Sequence, residues 1–144
     1  MNVLVINGPN LNLTGERNPA QYGSENYQTL VEYIKSEAAK IGYVECEVIQ
    51  TNHEGEIIDK LHAARNEFSG VIINAGAYTH YSYAITDAIE AIKIPVIEVH
   101  LSNIHAREEF RRKSVIAPAC KGSIAGFGKV SYKAALVALA GIIA

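Results

Sequence analysis

The 144-residue sequence predicts an α/β fold: a three-layer sandwich in which a five-stranded parallel sheet carries helices on both faces. Three observations predict it. Segments of strand and helix period alternate along the whole chain. The central strand segments are short apolar runs of the buried type. No repeat, low-complexity tract or linker interrupts the alternation, so residues 1–144 form one expected domain.

Each element has its own signal. Val3 to Ile6 reads as a buried strand. About fifteen residues rich in Asn and Gly follow without any period, and a loop that long in a small domain is usually functional. Over residues 25–41, Tyr27, Leu30, Val31, Ile34, Ala38 and Ile41 share one helical face, and Gly42 stops the helix. Tyr43 to Ile49 alternates with Glu45 and Glu47, as a half-buried edge strand does. Ile57, Leu61, Ala64 and Phe68 mark a second helix, with Asn52 as its cap. Val71 to Ile73 is a core strand, and Ile85, Ala88, Ile89 and Ile92 give a third helix. Ile94 to Val99 is the fourth strand, with Pro95 near its start. A short charged helix is expected around 106–112. Ser123 to Ala125 supplies a last strand, and Ala135, Leu136, Leu139 and Ile143 lie on a closing apolar helix. Five strands in so short a chain suggest the flavodoxin-like order 2-1-3-4-5.

Composition narrows the function. The hydrophobic content is 49% and the charged content 19%, values of a soluble globular chain. A net charge of −2 argues against a general nucleic-acid or membrane-surface role. Arg107, Arg111, Arg112 and Lys113 form the one cationic cluster, interrupted by Glu108 and Glu109. It reads either as a solvated helix face or as a source of guanidiniums for a small polar ligand. Cys46 and Cys120 are far apart and lack metal spacing, as expected of free thiols in a reducing cytosol. The N-terminus runs straight into the first strand, and no apolar run reaches bilayer length, so the expected location is cytoplasmic.

In parallel sheets of this order, ligands sit outside the carboxyl ends of the strands. Asn7, Gly8, Pro9 and Asn10 follow the first strand. Asn74, Ala75, Gly76, Thr79 and His80 follow the third, and His100, Leu101, Ser102 and Asn103 the fourth. Strand alternation puts Glu98 and His100 on one side. A carboxylate sets the tautomer and basicity of a nearby imidazole, which suits a general acid; the alternative is a satisfied polar pair at a strand end. Asn10, Asn12 and Asn74 are neutral groups able to hold a water or an oxyanion, or simply turn formers. Ser102 and the amides at 101–103 precede a helix and suit a carboxylate, or Ser102 is only a cap. His53, His62 and His105 read as surface positions.

Tyr22 lies in the long loop. A free phenol titrates at ~10, and lowering that by about two units requires ~3 kcal/mol of preference for the phenolate. A guanidinium in contact supplies this, more so where a closing loop excludes water. Arg17 sits five residues before Tyr22, with Gly15 and Gly23 as possible hinges of a lid at about 15–23; alternatively Tyr22 only anchors the loop. No Lys lies within an apolar strand, which argues against imine chemistry. Gly126-Phe127-Gly128-Lys129-Val130-Ser131 is a near miss to a dinucleotide fingerprint, without a following strand to complete it. Tight packing of the fifth strand against its helix is the expected reason for those glycines.

Three segments together are more specific. Ile6-Asn7-Gly8-Pro9-Asn10-Leu11-Asn12-Leu13 with Tyr22-Gly23, then Asn74-Ala75-Gly76-Ala77-Tyr78-Thr79-His80, and Glu98-Val99-His100-Leu101-Ser102-Asn103 with Arg107-Glu108-Glu109-Phe110-Arg111 resemble the type II 3-dehydroquinate dehydratase (3-dehydroquinase) family of the shikimate pathway. The resemblance covers essentially the whole chain. It implies a flavodoxin-like fold and trans-dehydration of 3-dehydroquinate to 3-dehydroshikimate, through an enolate and without a cofactor or metal. It also implies a homo-oligomer, a dodecamer built as a tetramer of trimers. By position, Tyr22 would be the base, Arg17 would lower its pKa, and Asn10 would help stabilise the enolate. His100, held by Glu98, would be the acid. Asn74 with Ser102 and the amides at 101–102, Leu101 included, would grip the carboxylate, Gly76 would be a further substrate-binding residue, His80 and Arg111 would bind ring hydroxyls, and Asp87 would reach a neighbouring subunit's site. Two lid positions depart from the family pattern: Asn18 replaces a Glu before Pro19, and Thr14 replaces a Leu. Two other readings compete. A flavin- or phosphate-binding module would need a phosphate-cradling first loop, and a hydrolase using a metal on His80, His100, Asp87 and Glu98 would lose activity on chelation.

Overall fold

A computed structural model describes residues 1–16, Ala20 and 25–143. The strands are β1 (Asn2–Asn7), β2 (Glu45–Gln50), β3 (Gly70–Asn74), β4 (Val96–His100) and β5 (Gly122–Ala125). They form one parallel sheet in the order β2-β1-β3-β4-β5, as the sequence predicted. The α-helices are α1 (Tyr27–Ile41), α2 (Glu54–Glu67), α3 (Tyr83–Ile92) and α4 (Val130–Ile143). Among the described residues no helix is long and apolar enough to cross a membrane.

The alternation of side chains along each strand splits the core in two. Val3, Val5, Ile72, Ile97 and Val99 face one way and pack against Leu30, Ile34 and Ala38 of α1 and Ala135, Leu136 and Leu139 of α4. Leu4, Ile6, Val71, Ile73 and Val96 face the other way, onto Ile57 and Leu61 of α2 and Ile85 and Ile89 of α3. Many of these side chains are wholly shielded from solvent, and each fully buried Leu, Ile or Val contributes about 1.5–3 kcal/mol. Helix ends agree with local chemistry. Asn26 caps α1 by accepting from the Thr29 amide at 2.9 Å, and Gly42 ends it with its own amide on the Ala38 and Ala39 carbonyls. Ser82 caps α3 through the Ile85 amide.

Five local expectations are corrected. Asn52 does not cap α2. Its Oδ1 accepts from the Asn10 amide (3.1 Å) and from Gln50 Nε2 (3.0 Å), tying the β1 and β2 ends together; His53 takes the cap position, its amide held by Thr51 Oγ1. Phe68 follows the last turn of α2 instead of lying within it. Pro95 precedes β4 rather than joining it, and its carbonyl accepts from the Val71 amide. The charged segment at 106–112 forms two 3₁₀ turns, Ile104–Ala106 and Glu109–Arg112, because Arg107 between them is extended (φ −112°, ψ −160°). Gly126 and Gly128 serve backbone conformation, not tight packing: their φ values are +101° and +59°, and a Cβ on Gly128 would meet nothing within 4 Å.

Gly8 brings the first loop against the third strand. Its amide donates to the Asn74 carbonyl at 2.7 Å, extending the β1–β3 pairing past the strand end. A Cβ at this position would lie 2.8 Å from the backbone carbon and oxygen of Ala75. Gly8→Ala should therefore lower stability by about 1–3 kcal/mol, read as a lower urea midpoint with an unchanged slope. An unaltered midpoint would show that the two backbones are free to part.

Candidate active site

Past the carboxyl ends of β1, β3 and β4 lies a cavity of about 120 Å³. Pro9, Asn10 and Leu11 line it from the first loop, Asn74, Gly76, Ala77 and His80 from the third, and His100, Leu101, Ser102 and Ile104 from the fourth. Arg107 and Arg111 complete the wall. Thus His100, Asn10, Asn74, Gly76, His80, Leu101, Ser102 and Arg111 converge as the sequence suggested. Asp87 stands exposed on α3 and does not line this cavity. Arg17 and Tyr22, with Asn18, Pro19, Gln21, Gly23 and Ser24, lie outside the described residues.

Behind the cavity wall, His100 Nε2 lies 2.5 Å from Glu98 Oε2. Glu98 is 0% exposed and His100 5%. A buried carboxylate that is ionised only accepts, so Nε2 carries the hydrogen and Nδ1 is the imidazole's second proton-transfer atom. The other Glu98 oxygen accepts from Ser114 Oγ at 2.8 Å. Ser114 is itself pinned, because its Oγ accepts from the Ala117 amide at 3.0 Å. Its own proton is thereby directed at Glu98, and the carboxylate is held on both sides. Ser114 was not anticipated: it is sixteen residues from Glu98, and no periodicity or motif links them.

His80 faces His100 with ring centroids 6.5 Å apart and planes at 16°, and meets the edge of Phe110. Its Nδ1 lies 2.7 Å from the Lys113 carbonyl and must donate to it, leaving Nε2 as an acceptor in the neutral ring. Burial pushes the His80 pKa down; the positive charges of His100 and Arg111 add to this, while the Lys113 carbonyl and Glu98 oppose it. Arg111 lies over the Phe110 ring at 4.7 Å and donates from Nε to Glu108. Arg107 donates from Nη1 to Ser102 Oγ at 3.3 Å, so Ser102 keeps its hydroxyl proton for a ligand. Arg107 was legible only as part of a cationic cluster, yet it lines the cavity together with Arg111.

Asn10 adopts a left-handed conformation (φ 69°), which Asn tolerates well. Its amide is held by Asn52, and its side chain lines the cavity. His53, His62 and His105 are exposed, as expected. Among the described residues no group of three or more His, Cys, Asp or Glu is arranged to hold a metal ion. The cavity combines two guanidiniums, two imidazoles, amide and hydroxyl donors and a shielded carboxylate. Chemically it suits a small anion bearing hydroxyls, with an imidazole placed to move a proton.

The depressed His80 gives a test of this electrostatic picture. Its NMR titration should have a midpoint below the ordinary 6.5. The unfolded chain then takes up the proton more readily, so the stabilising share of His80 is present above that ordinary value and falls away as pH drops through the folded midpoint. A midpoint above 6.5 would contradict burial as the dominant influence.

Residues 1–140 match the family model described as dehydroquinase class II. The chain is 62% identical over 142 residues to the 3-dehydroquinate dehydratase of Caldicellulosiruptor bescii, covering 98% of this chain and 97% of the relative. It is 58% identical to the 3-dehydroquinate dehydratase of Clostridium acetobutylicum, covering 96% of each. Its fold superposes on the crystal structure of the type II dehydroquinase from Butyrivibrio crossotus with a TM-score of 0.95 at 49% identity, covering 97% of each chain. The strand order and these likenesses over nearly the full length have one conclusion: the chain belongs to the class II dehydroquinase family.

Proposed function

We propose that this chain dehydrates 3-dehydroquinate to 3-dehydroshikimate in the shikimate pathway, by trans elimination through an enolate and without a cofactor. The observation that carries the proposal is the held pair of Glu98 and His100 opening onto a cavity with two guanidiniums. The substrate is a carboxylate with several hydroxyls and a ketone. Asn74, Ser102 and the segment at Leu101 take the carboxylate, and His80 and Arg111 take ring hydroxyls. Tyr22, as phenolate beside Arg17, removes the proton next to the ketone. The electron pair becomes the enolate, which Asn10 stabilises, directly or through a water. When the enolate collapses, the carbon–oxygen bond breaks and the hydroxyl receives the His100 proton to leave as water. Glu98 faces the imidazolium before that transfer.

The enzyme is read as a cytoplasmic homo-oligomer, a dodecamer built as a tetramer of trimers, in which Asp87 serves a neighbouring subunit's site. The exposure of Asp87 on α3, outside its own cavity, is consistent with that role.

The test is direct. With chelator present, 3-dehydroquinate should give the ultraviolet absorbance of a conjugated enone. Tyr22→Phe should lower kcat by about 10²–10⁴ while leaving substrate affinity largely intact, since only the proton acceptor is removed; near-normal turnover would exclude that base. His100→Ala should abolish most dehydration but still exchange solvent hydrogen at the carbon beside the ketone. Brisk dehydration in this variant would exclude His100 as the acid.

A further inference from the structure

Asn7 and Asn74 are register partners at the last paired step of β1 and β3. Asn74 lines the cavity, and both bond to the same buried hydroxyl from α4. Tyr132 Oη donates to Asn7 Oδ1 at 2.6 Å and accepts from Asn74 Nδ2 at 3.0 Å. Asn7 Nδ2 continues to the Tyr27 hydroxyl at 3.3 Å. At the opposite end the Gly76 amide donates to Asn74 Oδ1 at 3.2 Å.

The direction of this chain follows from one group. A backbone N–H can only donate, so Gly76 fixes the carbonyl oxygen of Asn74. The Asn74 NH₂ is thereby turned toward Tyr132, whose oxygen must accept. The single phenolic proton then goes to Asn7, which presents Oδ1 to Tyr132 and Nδ2 to Tyr27. No amide in the chain is left to choose its orientation. Burial raises the Tyr132 pKa, so the phenol keeps that proton. Tyr132 takes one of the two Asn74 N–H hydrogens. The other remains for the cavity that Asn74 lines.

From this we infer that Tyr132, which does not line the cavity, is a positioning residue for recognition of the substrate carboxylate, acting through the Asn74 amide. The inference rests on the proposed role of Asn74 as a carboxylate anchor. With the hydroxyl deleted, the Asn74 NH₂ loses its fixed acceptor and the remaining N–H is no longer aimed.

Tyr132→Phe keeps the ring and removes only the hydroxyl. Steady-state kinetics with 3-dehydroquinate should show KM raised about tenfold, with kcat within about twofold of the parent, the signature of lost uniform binding. Asn74→Ala should also raise KM, and adding Tyr132→Phe to it should raise KM no further, because the second residue acts through the first. An unchanged KM in Tyr132→Phe, with or without a lower melting temperature, overturns the inference. So do KM effects that multiply in the double variant. An unchanged KM in Asn74→Ala removes the anchor itself and the inference with it. Should Tyr132→Phe not fold, Asn7→Leu deletes the acceptor of the same proton: raised KM with retained kcat supports the relay, and unaltered KM overturns it.

Discussion

Burial of the Glu98 carboxylate is the constraint from which the site is built. A carboxylate removed from water is strongly unfavourable unless its oxygens are paired. Here one oxygen meets His100 and the other Ser114. Neither partner has freedom to turn away without leaving a charge stranded at 0% exposure. The imidazole is therefore fixed in plane and tautomer by the same demand that keeps the strand end folded. Ser114 is fixed in turn by the Ala117 amide, so the requirement spreads from β4 into the segment before β5.

The same logic holds across the rim. Asn7, Asn74, Glu98 and His100 are all buried polar side chains at the ends of adjacent strands. Elsewhere the sheet presents Val, Leu and Ile to the helices. Replacing that apolar packing with amides and charges is unfavourable for stability unless every group is satisfied. Two networks satisfy them on opposite faces. Asn7 and Asn74 are served from α4 by Tyr132, while Glu98 and His100 are served from the Ser114 side. The alternation of side chains along β3 and β4 assigns each residue to its network.

Most of the fold was legible because local and global signals agree. The helical faces at Leu30 and Ile34, and at Ile85 and Ile89, pack where their periods said. Strand order followed from element alternation and chain length. The rim residues were legible because strand ends are countable, and Glu98 and His100 because strands alternate. What sequence missed were contacts without period. Ser114 reaches Glu98 through a turn. Asn52 bonds the Asn10 amide instead of capping its own helix, and Tyr132 sits on an apolar helix where a phenol reads as packing. The segment at 106–112 was misread because its charges suit a helix, while the extended backbone at Arg107 divides it into two turns.

On the proposed function, electrostatic layering lets one small cavity take an anion while a carboxylate lies within bonding distance of His100, the proposed acid. Glu98 lies behind His100, so a ligand meets the imidazole before the negative charge. Arg107 and Arg111 line the open side, and each is tethered by a neighbour: Arg107 donates to Ser102, and Arg111 pairs with Glu108. Glu108 compensates Arg111 from its half-exposed side, where solvent screens it. On the proposed function, an incoming carboxylate, once water is displaced, meets the guanidiniums at short range and the Glu98 charge only from behind its imidazole partner. On the proposed mechanism, attraction and proton donation draw on one arrangement: the pair of Glu98 and His100 carries a net negative charge while the imidazole is neutral and is close to neutral once it is protonated, so loading the proposed acid removes a repulsion of an anionic substrate.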